Sequence, residues 1–362
     1  MAMSGRLGRG ATSRRLRGAG QVGAVSLVLA SVAAGGASPA AAQAQASGSP
    51  TLDAIRTRGH LLCGTSGDIA GFALPDSQGV MRGLDADGCR AIAAAVLGDA
   101  GKVRFVPLTA QNRFTALQSG EVDVLIRNTG WSLTREASLG LLFAAVNFWD
   151  GTSFVVKAAS GVASAKDLGG ATICVRPGTS TELDLADWAR ANRIAYTPVL
   201  IGDVSEVQQA FLAGRCDAFT TDASQLAGFR HRQGARAAEL VILPEPIATG
   251  PSGSMVRKGD DRWYDVVRWV HYAQVAAENL GVASGNLQAA AADANPDARR
   301  LLGLEGNLGT ALGLSDRWAF EVIRQVGNYG EMWDRSITPL GLARGQNALW
   351  TKGGLQFAPP LR

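Results

Sequence analysis

The chain has 362 residues, 46% of them hydrophobic, with 35 basic and 31 acidic side chains and a formal net charge of +4. Five of the arginines (Arg6, Arg9, Arg14, Arg15 and Arg17) and no acid lie in residues 1–44, so the remainder carries 4 − 5 = −1. A near-neutral remainder without a basic face excludes a nucleic-acid partner, and no later apolar stretch is long enough to span a bilayer.

The basic leader runs into small apolar residues around 22–34 and then Ala40-Ala41-Ala42-Gln43-Ala44. That is the pattern of a secretory signal peptide with an A-x-A-type cut, expected over residues 1–44, with the remainder exported. Ser13-Arg14-Arg15 leaves both the Sec and the twin-arginine routes open. The 362 − 44 = 318 residues that follow are more than one ordinary core organises, so two domains are expected. Four cysteines in an exported chain point to two disulfides, for which sequence permits three connectivities. Cys63 with Cys89 and Cys174 with Cys216 is the favoured set, because each pair falls within one expected lobe. No cysteine pair has C-x-x-C spacing and His60, His231 and His271 are scattered, so neither a metal nor a cofactor is expected.

Along the chain, short β-rich runs alternate with helical patterns, the grammar of an α/β fold with largely parallel sheets. Residues 61–64 read as a strand, and Asp85 as the cap of a helix that carries Cys89, Ile92, Ala93 and Val96 on one face and ends near Gly98. A strand follows at 103–107, then a helix capped by Thr109 and closed by Gly120, then a strand at 122–126. A similar unit recurs later: a helix from about Val204, a stop at Gly214, and a strand running through Thr221. Trp263, Val266, Val267 and Val270 keep helical spacing up to Gly281 and read as core, as do Trp318 and Trp333.

Ligands of open α/β sheets bind outside the carboxyl ends of the strands. The first unit's strand is followed by Arg127, Asn128, Thr129, Gly130, Trp131 and on to Arg135, and the second runs into Asp222. One side thus offers guanidinium and hydroxyl groups and the other a carboxylate, the division that a zwitterion requires. Phe72 and Trp131 are candidates for aromatic walls around the ligand side chain.

Five segments then carry a resemblance: GLDAD at 83–87, FTALQSGEVDVL at 114–125, GTSTE at 178–182, GNYGE at 327–331 and GGLQFAPP at 353–360. Together, and in this order, they resemble the periplasmic amino-acid-binding proteins of ABC transporters (bacterial solute-binding protein family 3), in particular the general L-amino-acid-binding branch. The resemblance implies an α/β, two-lobed periplasmic-binding-protein-like fold of type II, each lobe a mainly parallel sheet flanked by helices, joined by a two-strand hinge. Lobe 1 is then expected from residues 51–154 and 247–362, and lobe 2 from 155–246, with crossovers near 154–157 and 243–246. The resemblance also implies that Arg135 grips the ligand carboxylate and that Asp222 meets the ammonium. Thr129 and the Gly178-Thr179-Ser180 turn would add donors to the carboxylate, the turn also being an anion site at a helix N-terminus. Many relatives place a threonine three residues before the arginine. Here Arg135 follows Thr134 directly and Arg127 stands upstream, so either arginine can be the clamp; Arg135 has the better spacing from its strand, and Arg127 would then pair elsewhere or touch the ligand side chain.

The expected protein is therefore a monomeric periplasmic receptor that closes over L-amino acids and delivers them to a membrane permease. A dehydratase or lyase on the same scaffold would need a tuned acid or base. Only Glu182 and Asp68 stand near that role, and an enzyme is not expected. A sensor would share the binding site and differ in its partner.

Overall fold

The computed structural model describes residues 47–292 and 295–362, and the expected signal peptide lies outside the described residues. Eleven strands are formed among them: β1 (Leu61–Thr65), β2 (Leu74–Pro75), β3 (Met81–Arg82), β4 (Val103–Pro107), β5 (Val124–Leu125), β6 (Leu141–Lys157), β7 (Thr172–Val175), β8 (Thr197–Leu200), β9 (Ala218–Asp222), β10 (Leu240–Ile242) and β11 (Ala248–Arg257). The helices that place the site are α1 (Pro50–Arg58), α2 (Leu84–Leu97), α3 (Arg113–Ser119), α4 (Leu133–Ser138), α5 (Ser180–Asn192), α6 (Val204–Leu212), α7 (Ala223–His231) and α8 (Asp261–Asn279).

Nine strands form one sheet, eight of them in the order β4-β1-β5-β11-β6-β9-β7-β8 and β10 added on β6. At one end β4, β1 and β5 run parallel, and at the other β9, β7 and β8 do. The long strands β6 and β11 pair antiparallel between them and connect the two halves. Strand β6 pairs with β11 up to Thr152 and with β9 from Thr152 onward, so it changes partner where the chain passes from one half to the other. The buried apolar residues divide in the same way. One cluster gathers Leu52, Phe72, Ile92, Trp263, Trp318 and Trp333, while Phe154, Ile173, Val175 and Ala218, and Val207, Phe211 and Phe219, fill the other half. The fold is two-lobed, of the type II periplasmic-binding-protein architecture, with mixed rather than purely parallel sheets.

Local details correct three expectations. Helix α2 starts after Gly83, whose φ of 124° and whose place against Phe72, where a Cβ would come within 2.3 Å of the carbonyl oxygen, admit only glycine. Asp85 is not its cap: buried in the first turn, its carboxylate accepts from the Asn128 backbone N–H at 2.8 Å and from Asn147 Nδ2 at 3.3 Å. Helix α3 begins after Asn112, not at Thr109, because the two side chains close a turn, Thr109 N donating to Asn112 Oδ1 at 2.8 Å. Strand β5 is shorter than 122–126, pairing with β1 only through Val124 and Leu125. The favoured disulfides are both present. Cys63–Cys89 ties β1 to α2, and Cys174–Cys216 ties β7 to the turn before β9. No helix among the described residues is long and apolar enough to cross a membrane.

Candidate ligand site

Five of the six parallel strands hand a charged residue to the same region at or after their carboxyl ends. Asp68 follows β1, Arg113 follows β4, Arg127 follows β5, Arg176 follows β7, and Asp222 ends β9. A parallel arrangement aims all these ends the same way, so side chains far apart in sequence converge. Arg113, Arg127 and Arg176 are 3%, 2% and 3% exposed, and such burial is rare for arginine unless charges or polar atoms face it.

Arg135 sits in the short helix α4, whose N-cap Ser132 accepts from the Arg135 backbone N–H. Its Nη1 donates to the Gly130 carbonyl at 2.7 Å, and its guanidinium lies 5.3 Å from the centre of the Phe114 ring. Gly130 is where the halves approach: a Cβ there would stand 3.0 Å from Ser180 Oγ and 3.2 Å from Arg135 Nη1. Arg135 and Ser180, from α4 and the first turn of α5, are thus brought together, and Asp222 lies within electrostatic reach of Arg135. Thr129 and Thr179 are nearby but engaged, the hydroxyl of Thr129 donating to Arg127 O at 3.2 Å and that of Thr179 to Arg176 O at 2.7 Å. Thr179 also caps α5 by accepting from the Glu182 N–H.

Gln225 links the opposite wall. It accepts from Arg176 Nη2 at 3.1 Å and donates from Nε2 to Asp222 Oδ2 at 2.5 Å and to Asn128 Oδ1 at 2.7 Å, the last bond joining α7 to the segment after β5. Asp150, on β6 beside the partner change, accepts from the Ser224 hydroxyl and lies next to Asp222. Burial lifts Asp222 to about 6, although Arg176 and the Gln225 bond pull it down. Burial, then the Asp222 charge, lifts Asp150 to about 7. Burial and then Arg176 lower Arg127 to about 10, which leaves it protonated at neutral pH. Arg113 is depressed by burial and then by Arg127, Arg135 and Arg176. Asp68 Oδ1 is buried without a partner in the field of Arg127 and Arg176. The region holds both signs of charge, Arg113, Arg127, Arg135 and Arg176 standing with Asp68, Asp150, Asp184 and Asp222, so it can meet the carboxylate and the ammonium of a zwitterion.

The two candidate wall residues make other contacts. Phe72 is fully buried and packs edge-on against Phe148, 5.1 Å between ring centres, as part of the core. Trp131 stacks on Phe143, donates its indole N–H to Glu136 at 2.6 Å and lines a separate cavity of about 270 Å³ with Tyr264, Tyr272 and Phe357. Both rings follow a local chain direction that periodicity does not reveal. Conversely, Arg113, Arg176 and Gln225 were not singled out from sequence. The strand-end rule, applied to β4 and β7 as it was to β5 and β9, finds the two arginines; nothing local marks Gln225. No group of His, Cys, Asp and Glu among the described residues is arranged to hold a metal ion.

The family model described as "Bacterial extracellular solute-binding proteins, family 3" matches residues 61–280. The chain is 53% identical over 327 residues to the glutamate/glutamine/aspartate/asparagine-binding protein BztA of Rhodobacter capsulatus, covering 89% of this chain and 96% of that protein. It is 47% identical to the general L-amino acid-binding periplasmic protein AapJ of Rhizobium johnstonii, covering 91% and 98%. A solved structure, an ABC transporter/periplasmic binding protein from Brucella ovis with glutathione bound, is 49% identical with a TM-score of 0.84, covering 86% of this chain and 99% of that one.

Proposed function

The chain belongs to family 3 of the bacterial extracellular solute-binding proteins, so it is a transport protein rather than an enzyme, and we propose that it captures L-amino acids in the periplasm for an ABC transporter. Residues 1–44 are removed on export, residues 51–154 with 247–362 form one lobe and 155–246 the other, and the closed monomer delivers its ligand to the membrane permease. The carrying observation is the convergence of Arg135 and Ser180 with Asp222 in one half-buried region. In this reading Arg135, Ser180 and the N-terminal N–H groups of α5 take the α-carboxylate, and Asp222 takes the ammonium. Arg113, Arg127 and Arg176 exceed what one carboxylate needs, which favours acidic and amide side chains over basic ones. Thr129 and Thr179 hold the loops that present these groups. Glutathione, bound by the Brucella ovis relative, carries a γ-glutamyl group with the same free ammonium and carboxylate, so small γ-glutamyl peptides belong among the compounds to test.

A thermal-shift screen of protein unfolded and refolded to strip carried-over ligand tests the proposal against the twenty amino acids, glutathione and sugars. Ligand at a hundred times its Kd adds about 2.7 kcal/mol, and glutamate, aspartate, glutamine and asparagine are expected to give the largest shifts. A response to sugars alone, or to no amino acid, rejects it.

Affinity should also depend on pH. Because Asp222 titrates at about 6 in the folded protein against an ordinary 3.8, the folded state holds a proton that the unfolded chain has lost. Its contribution to stability is therefore largest in acid and declines as pH rises from about 4 to about 6. A ligand ammonium favours the ionised carboxyl, so binding expels that proton at low pH. L-Glutamine, which does not itself titrate in this range, should bind roughly tenfold more tightly at pH 7 than at pH 5. Calorimetry in buffers of different ionisation enthalpy reads the proton release; its absence at pH 5 removes Asp222 from the ammonium site.

A further inference from the structure

Strand β6 is paired with β11 along one edge from Leu141 to Thr152 and with β10 beyond it, but β9 occupies its other edge only from Thr152 onward. The earlier part of that edge is closed by side chains from the C-terminal segment. Asn347 Oδ1 accepts from Trp149 N at 2.7 Å and its Nδ2 donates to Trp149 O at 2.8 Å, the two bonds a neighbouring strand would make. Tyr329 donates its hydroxyl to Asn147 O at 2.9 Å, and Gln356 Nε2 reaches Val146 O at 3.3 Å. These three side chains are 4%, 1% and 2% exposed, so the bonds are shielded from water. The segment is itself anchored: Arg344 pairs with Glu278 at 3.0 Å and lies over the Tyr329 and Trp333 rings.

Trp149 precedes Asp150, which bonds Ser224 and abuts Asp222. A shift of β6 at Trp149 therefore moves the carboxyl that neighbours the ammonium position. We propose that Asn347, with Tyr329 and Gln356, braces the crossover strand from the C-terminal segment and acts as a positioning residue for the amino end of the ligand site, through Trp149 and Asp150. The inference rests on the amino-acid-binding reading above. It gives the C-terminal segment a task in binding besides covering the core.

The groups that face Asp150 are Asp222 and Ser224 of the opposite half and the Gly151 N–H of its own strand, and beyond Asp222 stand Arg176, Asp184 and Arg113. Loosening β6 should alter how the two carboxyls share a proton, which a purely structural tail would not do.

The experiment compares wild type, Asn347→Ala and Tyr329→Phe by calorimetric titration with L-glutamate and L-glutamine at 25 °C, with L-glutamine repeated between pH 5 and 7.5. Two lost hydrogen bonds predict roughly tenfold weaker binding for Asn347→Ala, and one lost bond roughly threefold for Tyr329→Phe. The midpoint of the L-glutamine pH profile is expected to shift in Asn347→Ala. A lower melting temperature with wild-type affinity and an unmoved pH midpoint overturns the inference while leaving the functional reading intact. If Asn347→Ala does not fold, Tyr329→Phe decides alone, since it deletes one hydroxyl and keeps the ring, and unchanged affinity there is the overturning result. Wild-type protein that binds neither amino acid overturns the functional reading and this inference with it.

Discussion

Replacing Arg135 with Ala is expected to abolish amino-acid binding in a calorimetric titration and to leave the melting temperature of the ligand-free protein nearly unchanged. The two halves of that expectation have separate causes. Helix α4 buries none of its residues, so removing a side chain from it costs the core little. The ligand carboxylate, in contrast, would be enclosed opposite Asp222 and Asp184 without its fork partner. Losing one member of an enclosed charge pair costs about 2–5 kcal/mol, roughly 30-fold to several thousand-fold in Kd. The same change at Arg127 should behave differently. That side chain is 2% exposed and donates Nε–H to Leu108 O at 2.6 Å, so Arg127→Ala should lower stability as well as binding. If Arg135→Ala binds like wild type and Arg127→Ala does not, the clamp is Arg127.

Removal of the disulfides should have the largest effect on stability. The bridges close sequence separations of 26 and 42 residues. By the loop-entropy relation, Cys63→Ser with Cys89→Ser should cost about 3.5 kcal/mol and Cys174→Ser with Cys216→Ser about 4 kcal/mol. The second pair ties β7 to the approach to β9, the strand that ends in Asp222, so ligand affinity should fall along with stability. The first pair lies in the core of the other half between β1 and α2, and its loss should act on stability alone. Denaturant unfolding of each double variant, with a titration under native conditions, measures both. A shift below about 1 kcal/mol would show that the reduced, unfolded chain is already constrained.

Much of this molecule is written locally. The alternation of strand and helix patterns, the glycines that stop α2 and α3, the helical spacing of Trp263, Val266, Val267 and Val270, and the positions of Arg127, Arg135 and Asp222 after strands each depend on a few neighbouring residues. That is why they could be read from the chain. The failures are equally physical. Asp85 has the right chemistry and nearly the right place for a cap, yet its carboxylate serves Asn128 and Asn147, 43 and 62 residues away. Phe72 reads equally as wall or core until its contact with Phe148 is known.

The sequence by itself determined the α/β class, the kinship, a favoured set among three possible cysteine pairings, and the places of Arg127, Arg135 and Asp222 after strands, because strand ends and helix stops are short-range properties of the backbone. Only the tertiary structure decided that Arg113 and Arg176 join Arg127 and Arg135, that Gln225 meets Asn128 across 97 residues, and that Asn347 grips Trp149 across 198. Such contacts are set by the path of the sheet. Where β6 changes partners, groups far apart in the chain share one buried polar region, and their desolvation is offset only by pairing with whichever partners the fold brings there.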